Sequence, residues 1–356
     1  MAKYSIIVPV FNRPDEVGEL LESLTCQDFR DFDVVIVEDG SSTRCDDVVN
    51  KYLAKLDIHY YYKDNSGPGP SRNYGVEHSN GEWVLILDSD VVLPPGYMSS
   101  VDRSVNDDPC DAFGGPDRSH DSFTDIQKAI SYSMTSFLTT GGIRGGKKKL
   151  DKFHPRSYNM GIRRELYLDL GGFSKMRFGE DIDFSYRILE CGHTTKLYPD
   201  AWVWHKRRTN LDKFFKQVFN SGIARINLSK RHPGTLKLVH LLPMFFTLGV
   251  IVLLLSAVVM RLLEFSDSVG ECFRNGFPLG HTHIGWWVLP LLPVVLYILL
   301  VFLDSSIRNK SAVIGYLSIK SSFVQLFGYG FGFLTARWKR CVLGKDEFSA
   351  FEKNFY

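Results

Sequence analysis

Residues 5–10, 33–37 and 83–87 are short, nearly uninterrupted apolar runs, and residues 58–62 repeat the pattern with tyrosines among them. Runs of this length predict strands buried on both faces. Between them, Val17, Leu20, Leu21 and Leu24 recur at helical spacing after Asn12-Arg13-Pro14, where proline suits the first turn of a helix. Strands alternating with helices predict an α/β domain built on a mostly parallel sheet. In such sheets ligands gather beyond the carboxyl ends of strands, and the pattern puts Pro9, Phe11 and Asn12, then Asp39, then Asp88-Ser89-Asp90 at three such ends. These ends are expected to meet at one cleft.

Further along, Tyr158-Asn159-Met160-Gly161 precedes a helix predicted over 163–170, Phe178-Gly179-Glu180-Asp181-Ile182-Asp183 opens another that runs through Glu190, and residues 210–231 read as helical. The final third changes character. Residues 241–260 and 284–303 carry almost no charge, and about 20 residues at about 1.5 Å each cross a hydrocarbon core of roughly 30 Å. Trp286 and Trp287 stand at the start of the second stretch, where interfacial tryptophans belong. Residues 312–336 form a weaker stretch broken by Lys320, Gln325 and several glycines, expected to be interfacial or re-entrant, with a third crossing as the alternative. Arg225, Lys230, Arg231 and Lys237 before the first span, and Arg308 and Lys310 after the second, fall on the cytoplasmic side if there are two crossings. Residues 261–283 would then be a short external loop. The expected organisation is a catalytic domain over 1–235 and a membrane region over 236–356, in a multi-pass protein of the plasma or inner membrane.

Composition narrows this only a little. At 44% hydrophobic and 23% charged the chain is an ordinary folded protein, and a net charge of +2 makes no case for a nucleic-acid partner. Its six cysteines lack any CxxC pair or zinc-like spacing, which fits a reducing compartment and predicts no disulfide. Met1-Ala2-Lys3-Tyr4 leads straight into the first strand without the apolar region of a signal peptide, so the first domain is expected to stay cytosolic. Two basic segments stand out. Residues 141–149, rich in glycine and ending in three lysines, read either as a solvated loop or as a lid over an anionic ligand. Lys206-Arg207-Arg208 could meet lipid headgroups or acceptor phosphates, or serve only as a cytoplasmic anchor. Nothing in the sequence bears on oligomeric state.

The chemistry concentrates in carboxylates. Asp88 and Asp90 point the same way from the end of a buried strand, and a pair packed unpaired into a core would be costly, so it is expected to meet solvent, a metal or a ligand's hydroxyls. Acidic residues in a first helical turn often only complement the helix dipole, which explains Glu180 or Asp183 singly better than it explains three carboxylates together. Arg72 follows Gly67-Pro68-Gly69-Pro70, a rigid turn suited to starting a helix near an anionic ligand, although an ordinary surface arginine would look the same.

Taken in order, Ser5-Ile6-Ile7-Val8-Pro9-Val10-Phe11-Asn12, Val37-Glu38-Asp39-Gly40-Ser41-Ser42, Ser71-Arg72-Asn73, Leu87-Asp88-Ser89-Asp90 and Gly179-Glu180-Asp181 resemble the motifs of family 2 glycosyltransferases with the GT-A fold. The resemblance covers residues 4–230. It implies that Asp39 accepts the imide N–H of the donor's base, uracil or guanine, unless it merely forms the turn at Gly40. It implies that Asp88 faces the ribose and that Asp90 holds a divalent metal, Mg²⁺ or Mn²⁺, on the diphosphate. Pro9, Phe11, Asn12, Arg72 and Ser89 would line the nucleotide-sugar site. His205, in Trp202-Val203-Trp204-His205, matches a second metal-ligand position, which would favour Mn²⁺ somewhat, against a purely structural histidine under two tryptophans. Asp181 would be the general base, with Glu180 as its rival, in an inverting transfer from a nucleotide-sugar donor to a lipid-linked or surface-polysaccharide acceptor. Two other readings stay open, a nucleotidyltransferase acting on sugar phosphates and a catalytically silent nucleotide-sugar sensor. The first would need a triphosphate-gripping loop that Phe11-Asn12-Arg13-Pro14 does not resemble, and the missing GxGxxG disfavours a dehydrogenase.

Overall fold

The apolar runs become strands Tyr4–Val10 (β1), Phe32–Asp39 (β2), Ile58–Lys63 (β3) and Trp83–Leu87 (β4). Successive side chains point to opposite faces, and both faces are covered. Ile6, Val8 and Val10 pack on one side with Leu20 and Leu24 of the helix Pro14–Thr25. Ile7, Val35, Val37 and Ile86 pack on the other with Val76 of the helix Pro68–Glu77. That double burial is why each strand reads as a continuous run rather than an alternation.

The computed structural model describes residues 2–120, 122–140, 153–275 and 285–351, with only the backbone over 267–275. Residues 141–149, the glycine-rich basic segment, lie outside the described residues. The described residues fall into two units, the first within Met1–Phe123, Gly145–Arg207 and Asn227–Thr235, the second within Thr124–Arg144, Arg208–Ile226 and Leu236–Tyr356. Residues 124–140 and 208–226, inside the catalytic domain by the sequence boundaries, thus pack with the second unit.

In the first unit the remaining strands are Val91–Val92 (β5), Ala112–Gly114 (β6), Asp117–Arg118 (β7), Asn159–Arg163 (β8), Thr195–Leu197 (β9) and Val203–His205 (β10). A 7-stranded sheet has the order β3-β2-β1-β4-β8-β6-β9, and a 3-stranded sheet the order β5-β10-β7. β1 runs parallel to β2 and β4, β2 to β3, and β6 to β9, whereas β8 is antiparallel to β4 and β6. The mostly parallel sheet is as expected; the strand β8 is not evident in the sequence. Gly161 sits at its centre, opposite both Leu85 and Phe113, and a Cβ there would lie 2.1 Å from the Phe113 ring. Glycine is needed for the ring to cross the strand, and it also erases the apolar run by which a strand is recognised. Cys45 and Cys110 are buried and Cys26, Cys191 and Cys341 exposed, all five free thiols.

In the second unit, the long helix Leu242–Asn275 and the helix Leu292–Asn309, led in by a short 3₁₀ turn over Trp286–Leu291, take up the two uncharged stretches. Leu238–Ser266 and Trp286–Asn309 are long and apolar enough to cross a membrane, and only 22% and 6% of their most apolar windows are buried. A core helix of a soluble protein would be mostly covered. The first helix continues past Met260 through Arg261 and Glu264, so part of the predicted external loop is helical. Residues 312–336 form one continuous helix, Ala312–Ala336, whose small residues face its neighbours. Ser318 Oγ lies 2.7 Å from Ser305 Oγ, Ser321 Oγ donates to the Ala129 carbonyl at 2.8 Å, and a Cβ on Gly332 would stand 2.0 Å from the Phe219 carbonyl. The glycines that made this stretch look broken are close-approach points between helices.

Candidate active site

Because β2, β1 and β4 are adjacent and parallel, their carboxyl ends share one sheet edge. Pairing of β1 with β4 stops at Ile7↔Ile86, so Pro9 stands past that ladder, where its missing N–H breaks no bond to β4. Beyond Phe11, Asn12 adopts φ 54, a left-handed conformation uncommon outside glycine. It is fixed from both sides: its N–H donates to Ser41 Oγ at 2.7 Å, and its Oδ1 accepts from Ser42 Oγ at 3.0 Å and from the Thr43 N–H at 2.9 Å. The end of β1 is thereby stitched to the loop after β2.

Asp39 is 3% exposed. Its carboxylate accepts Lys63 Nζ at 2.5 Å, the Ser66 N–H at 2.9 Å and the Gly67 N–H at 2.9 Å. Lys63 is its register partner on β3, and the two amides lead into the helix Pro68–Glu77, so Asp39 anchors the turn that presents Arg72. Arg72 is no surface arginine. At 4% exposure it is clasped between Asp88 Oδ1 at 2.7 Å and Glu180 Oε1 at 3.0 Å, with the Phe173 ring 5.3 Å from its guanidinium. Burial works against its charge, but Asp88 and then Glu180 more than offset that and raise its pKa.

Glu180 and Asp181 occupy the first turn of the helix Glu180–Glu190, which starts from Gly179 in a left-handed conformation. Their environments differ. Burial, followed by repulsion from Asp181, pushes the Glu180 carboxyl up to about 7 against the pull of Arg72. Asp181 is more open at 16% side-chain exposure, with Arg156 Nε 3.5 Å away. The third carboxylate, Asp183, has partners of its own and is 2% exposed. It meets His232 Nε2 at 3.1 Å and Arg187 Nε at 3.2 Å. Burial raises its pKa, but the His232 hydrogen bond and the nearby arginines outweigh that and hold it below the usual carboxylate range.

Asp88, Asp90 and His205 each offer one donor atom, all within 4.8 Å of one another. Strand pairing explains the meeting: β5 follows Asp90 directly and pairs antiparallel with β10, placing His205 opposite Val91. His205 Nε2 is 3.2 Å from Asp90 Oδ1, while its ring stacks on Tyr158, centroids 4.8 Å apart. The aromatic partner is thus Tyr158; Trp204 points to the other face of the strand, edge-on to Trp202 and His120. Asp117 stands behind the imidazole, 3.9 Å from Nδ1, and pairs with Arg207. Two carboxylates and an imidazole suit Mn²⁺ or Mg²⁺, and the buried His205 Nδ1 makes no hydrogen bond that would fix the ring otherwise. The donor set therefore fits a divalent metal.

All eleven residues singled out in the sequence lie in the first unit. Asp88, Ser89, Asp90, Arg72, Glu180 and His205 form one connected group, Asp181 adjoins it, and Pro9, Phe11, Asn12 and Asp39 belong to the neighbouring strand ends. Sequence reasoning missed Arg13, whose Nη1 lies 2.6 Å from Asp90 Oδ2, and also Lys63, Asp117, Arg156 and Tyr158. Arg13 was legible as a cation next to a site residue, and Lys63 as the residue level with Asp39 once β2 and β3 are aligned. Asp117 carried no local signal. Lys206 and Arg207 are engaged with Glu19 and Asp117.

The architecture is that of the GT-A glycosyltransferases. The mannosyltransferase PcManGT of Pyrobaculum calidifontis, solved with GDP-Man and Mn²⁺, matches in fold with a TM-score of 0.55 at 15% identity, over 91% of this chain and 87% of that one. Residues 5–171 match the Glycosyl transferase family 2 domain. An uncharacterized glycosyltransferase of Haemophilus influenzae is 32% identical over 194 residues, 52% of this chain and 62% of that protein. The GalNAc(5)-diNAcBac-PP-undecaprenol beta-1,3-glucosyltransferase of Campylobacter jejuni is 33% identical over 117 residues, 32% of this chain and 38% of that one. The chain thus spans less than two thirds of the length of these relatives.

Proposed function

We propose that this protein is an inverting, metal-assisted glycosyltransferase that moves a sugar from a UDP- or GDP-sugar to a lipid-linked or surface-polysaccharide acceptor, working at the cytoplasmic face of a membrane that its two apolar helices cross. The observation that carries the reading is the grouping of Asp88, Asp90 and His205 beside the Arg72–Glu180–Asp181 cluster at one sheet edge. The relative named for an undecaprenol-linked substrate and the two exposed apolar helices support a lipid-borne acceptor.

In this reading Asp39 receives the imide N–H of the base. An ionised carboxylate offers about four acceptor positions, and Lys63, Ser66 and Gly67 leave room for one more donor. Asp88 turns its second oxygen to the ribose hydroxyls while Arg72 keeps the first. Asp90 and His205 would hold a divalent cation, which when bound would supply charge neutralisation to a departing nucleoside diphosphate. Asp181 takes the proton from the acceptor hydroxyl as that oxygen bonds to the anomeric carbon. The carbon–oxygen bond to the β-phosphate breaks, and its electron pair leaves with the diphosphate. Glu180 is the poorer base, since it is buried and its oxygen is held by Arg72. In this reading one carboxylate base serves a single displacement, which inverts the anomeric centre.

The test is a donor panel with the full-length protein in detergent, following product mass and the released phosphate species. Transfer chemistry releases nucleoside diphosphate; release of pyrophosphate would instead indicate nucleotidyl transfer, and release of neither would leave a sensor.

A further inference from the structure

Resting on the reading of Asp90 and His205 as metal donors, we propose that Arg13 is the resident counter-cation of Asp90 and gives up that carboxylate to the metal only when a nucleoside diphosphate arrives to receive the guanidinium. The two aspartates of the site are each neutralised by an arginine, but the arginines are built differently. Arg72 is 4% exposed, tied through a second nitrogen to Glu180 and seated against Phe173. It is fixed in place. Arg13 has a side chain 24% exposed, contacts Asp90 Oδ2 at 2.6 Å, and starts from the solvent end of β1 just before Pro14.

Its backbone, by contrast, is held. The neighbouring Asn12 sits at φ 54 under hydrogen bonds from Ser42 and Thr43 and donates its N–H to Ser41, so motion at this corner belongs to the Arg13 side chain. The guanidinium and a divalent cation compete for one half-buried carboxylate, whose other oxygen already faces His205 Nε2 at 3.2 Å. A cation held by Asp90 and His205 would face Arg13 as a like charge at short range. A diphosphate removes the conflict, because a guanidinium forks onto phosphate oxygens at least as well as onto a carboxylate. Metal and nucleotide then bind cooperatively, and by linkage each raises the affinity of the other by the same factor.

The experiment measures Mn²⁺ binding to the full-length protein in detergent by the electron paramagnetic resonance of free Mn²⁺, with and without UDP and GDP. For the wild type, one of the two nucleotides should tighten Mn²⁺ binding by about tenfold or more. Arg13→Gln should bind Mn²⁺ alone about three- to tenfold more tightly than the wild type, with the nucleotide's increment reduced by a similar factor. Arg13→Lys keeps the charge but loses the fork, so Mn²⁺ alone should bind as weakly as in the wild type while the nucleotide increment still falls. If Arg13→Gln binds Mn²⁺ alone no more tightly than the wild type, or if the nucleotide increment is unchanged in both variants, the proposal is overturned. Asp90→Asn separates this from the reading beneath it: undiminished Mn²⁺ binding there would remove the metal site itself.

Discussion

Two consecutive carboxylates, Glu180 and Asp181, sit in different environments, and the proposed mechanism gives them different roles for that reason. Glu180 is pressed into the domain, its pKa raised to about 7 by loss of water and by its neighbour's charge, and it anchors Arg72. Asp181 is somewhat less buried, beside Arg156, and in the proposed mechanism it is the carboxylate that takes the proton of the acceptor hydroxyl. General-base assistance is worth roughly 10²–10⁴-fold, so Asp181→Asn should lower turnover by that factor while donor affinity changes by less than about threefold. Steady-state kinetics with saturating donor, together with nucleotide titration, check both halves. Near wild-type turnover would transfer the base role elsewhere.

The helix Glu180–Glu190 is held at the correct angle from its far side. Asp183 bonds His232 and Arg187, and His232 Nδ1 also lies 2.8 Å from Glu190 Oε1. Asp183→Asn should cost about 3 kcal/mol of stability at neutral pH, since it strips the counter-charge from a buried ion-pair cluster. The sign with pH follows from the depressed pKa of Asp183: its contribution is complete above the unfolded-state value and is lost as pH falls through the folded one. Thermal denaturation of wild type and variant should therefore converge in acid. A second element-level prediction concerns β8: Gly161→Val must displace the Phe113 ring, at a cost of about 1–3 kcal/mol or more, measurable as a lower melting temperature.

These elements also mark what the sequence reveals. Strands β1, β2 and β4 were legible because burial on both faces makes each a continuous apolar run, and the helix at 14–25 because its apolar residues recur at helical spacing. β8 was not, since its central glycine is chosen by Phe113, some fifty residues upstream, roughly a domain's width away in chain terms. The carboxylates at strand ends were likewise legible from position. Their cations were less so, and the Asp117–His205 contact depends on β7 and β5 pairing with β10, a long-range choice that no local pattern records. In the helical unit, Leu242–Asn275 runs past the predicted span, first through Arg261, Leu262, Leu263 and Glu264, residues of good helix propensity.

At the scale of the molecule, the two apolar helices of the second unit carry large exposed hydrophobic side chains. Val252, Leu255 and Leu262 on the first, and Leu296 and Leu303 on the second, are each more than half exposed. If they lie in a bilayer, the protein should stay with membranes after an alkaline carbonate wash; release into the supernatant would contradict the anchoring and leave those faces to a protein partner. The unequal roles proposed for Asp88 and Asp90 toward the donor have a more direct test. Nucleoside diphosphate release should be followed in the wild type, Asp90→Ala and Asp88→Ala across a Mn²⁺ titration. Mn²⁺-dependent release is expected in the wild type, no Mn²⁺ response in Asp90→Ala, and a retained Mn²⁺ response with weakened donor binding in Asp88→Ala. Release that ignores Mn²⁺ in the wild type, or equal metal dependence in the two variants, would contradict those roles.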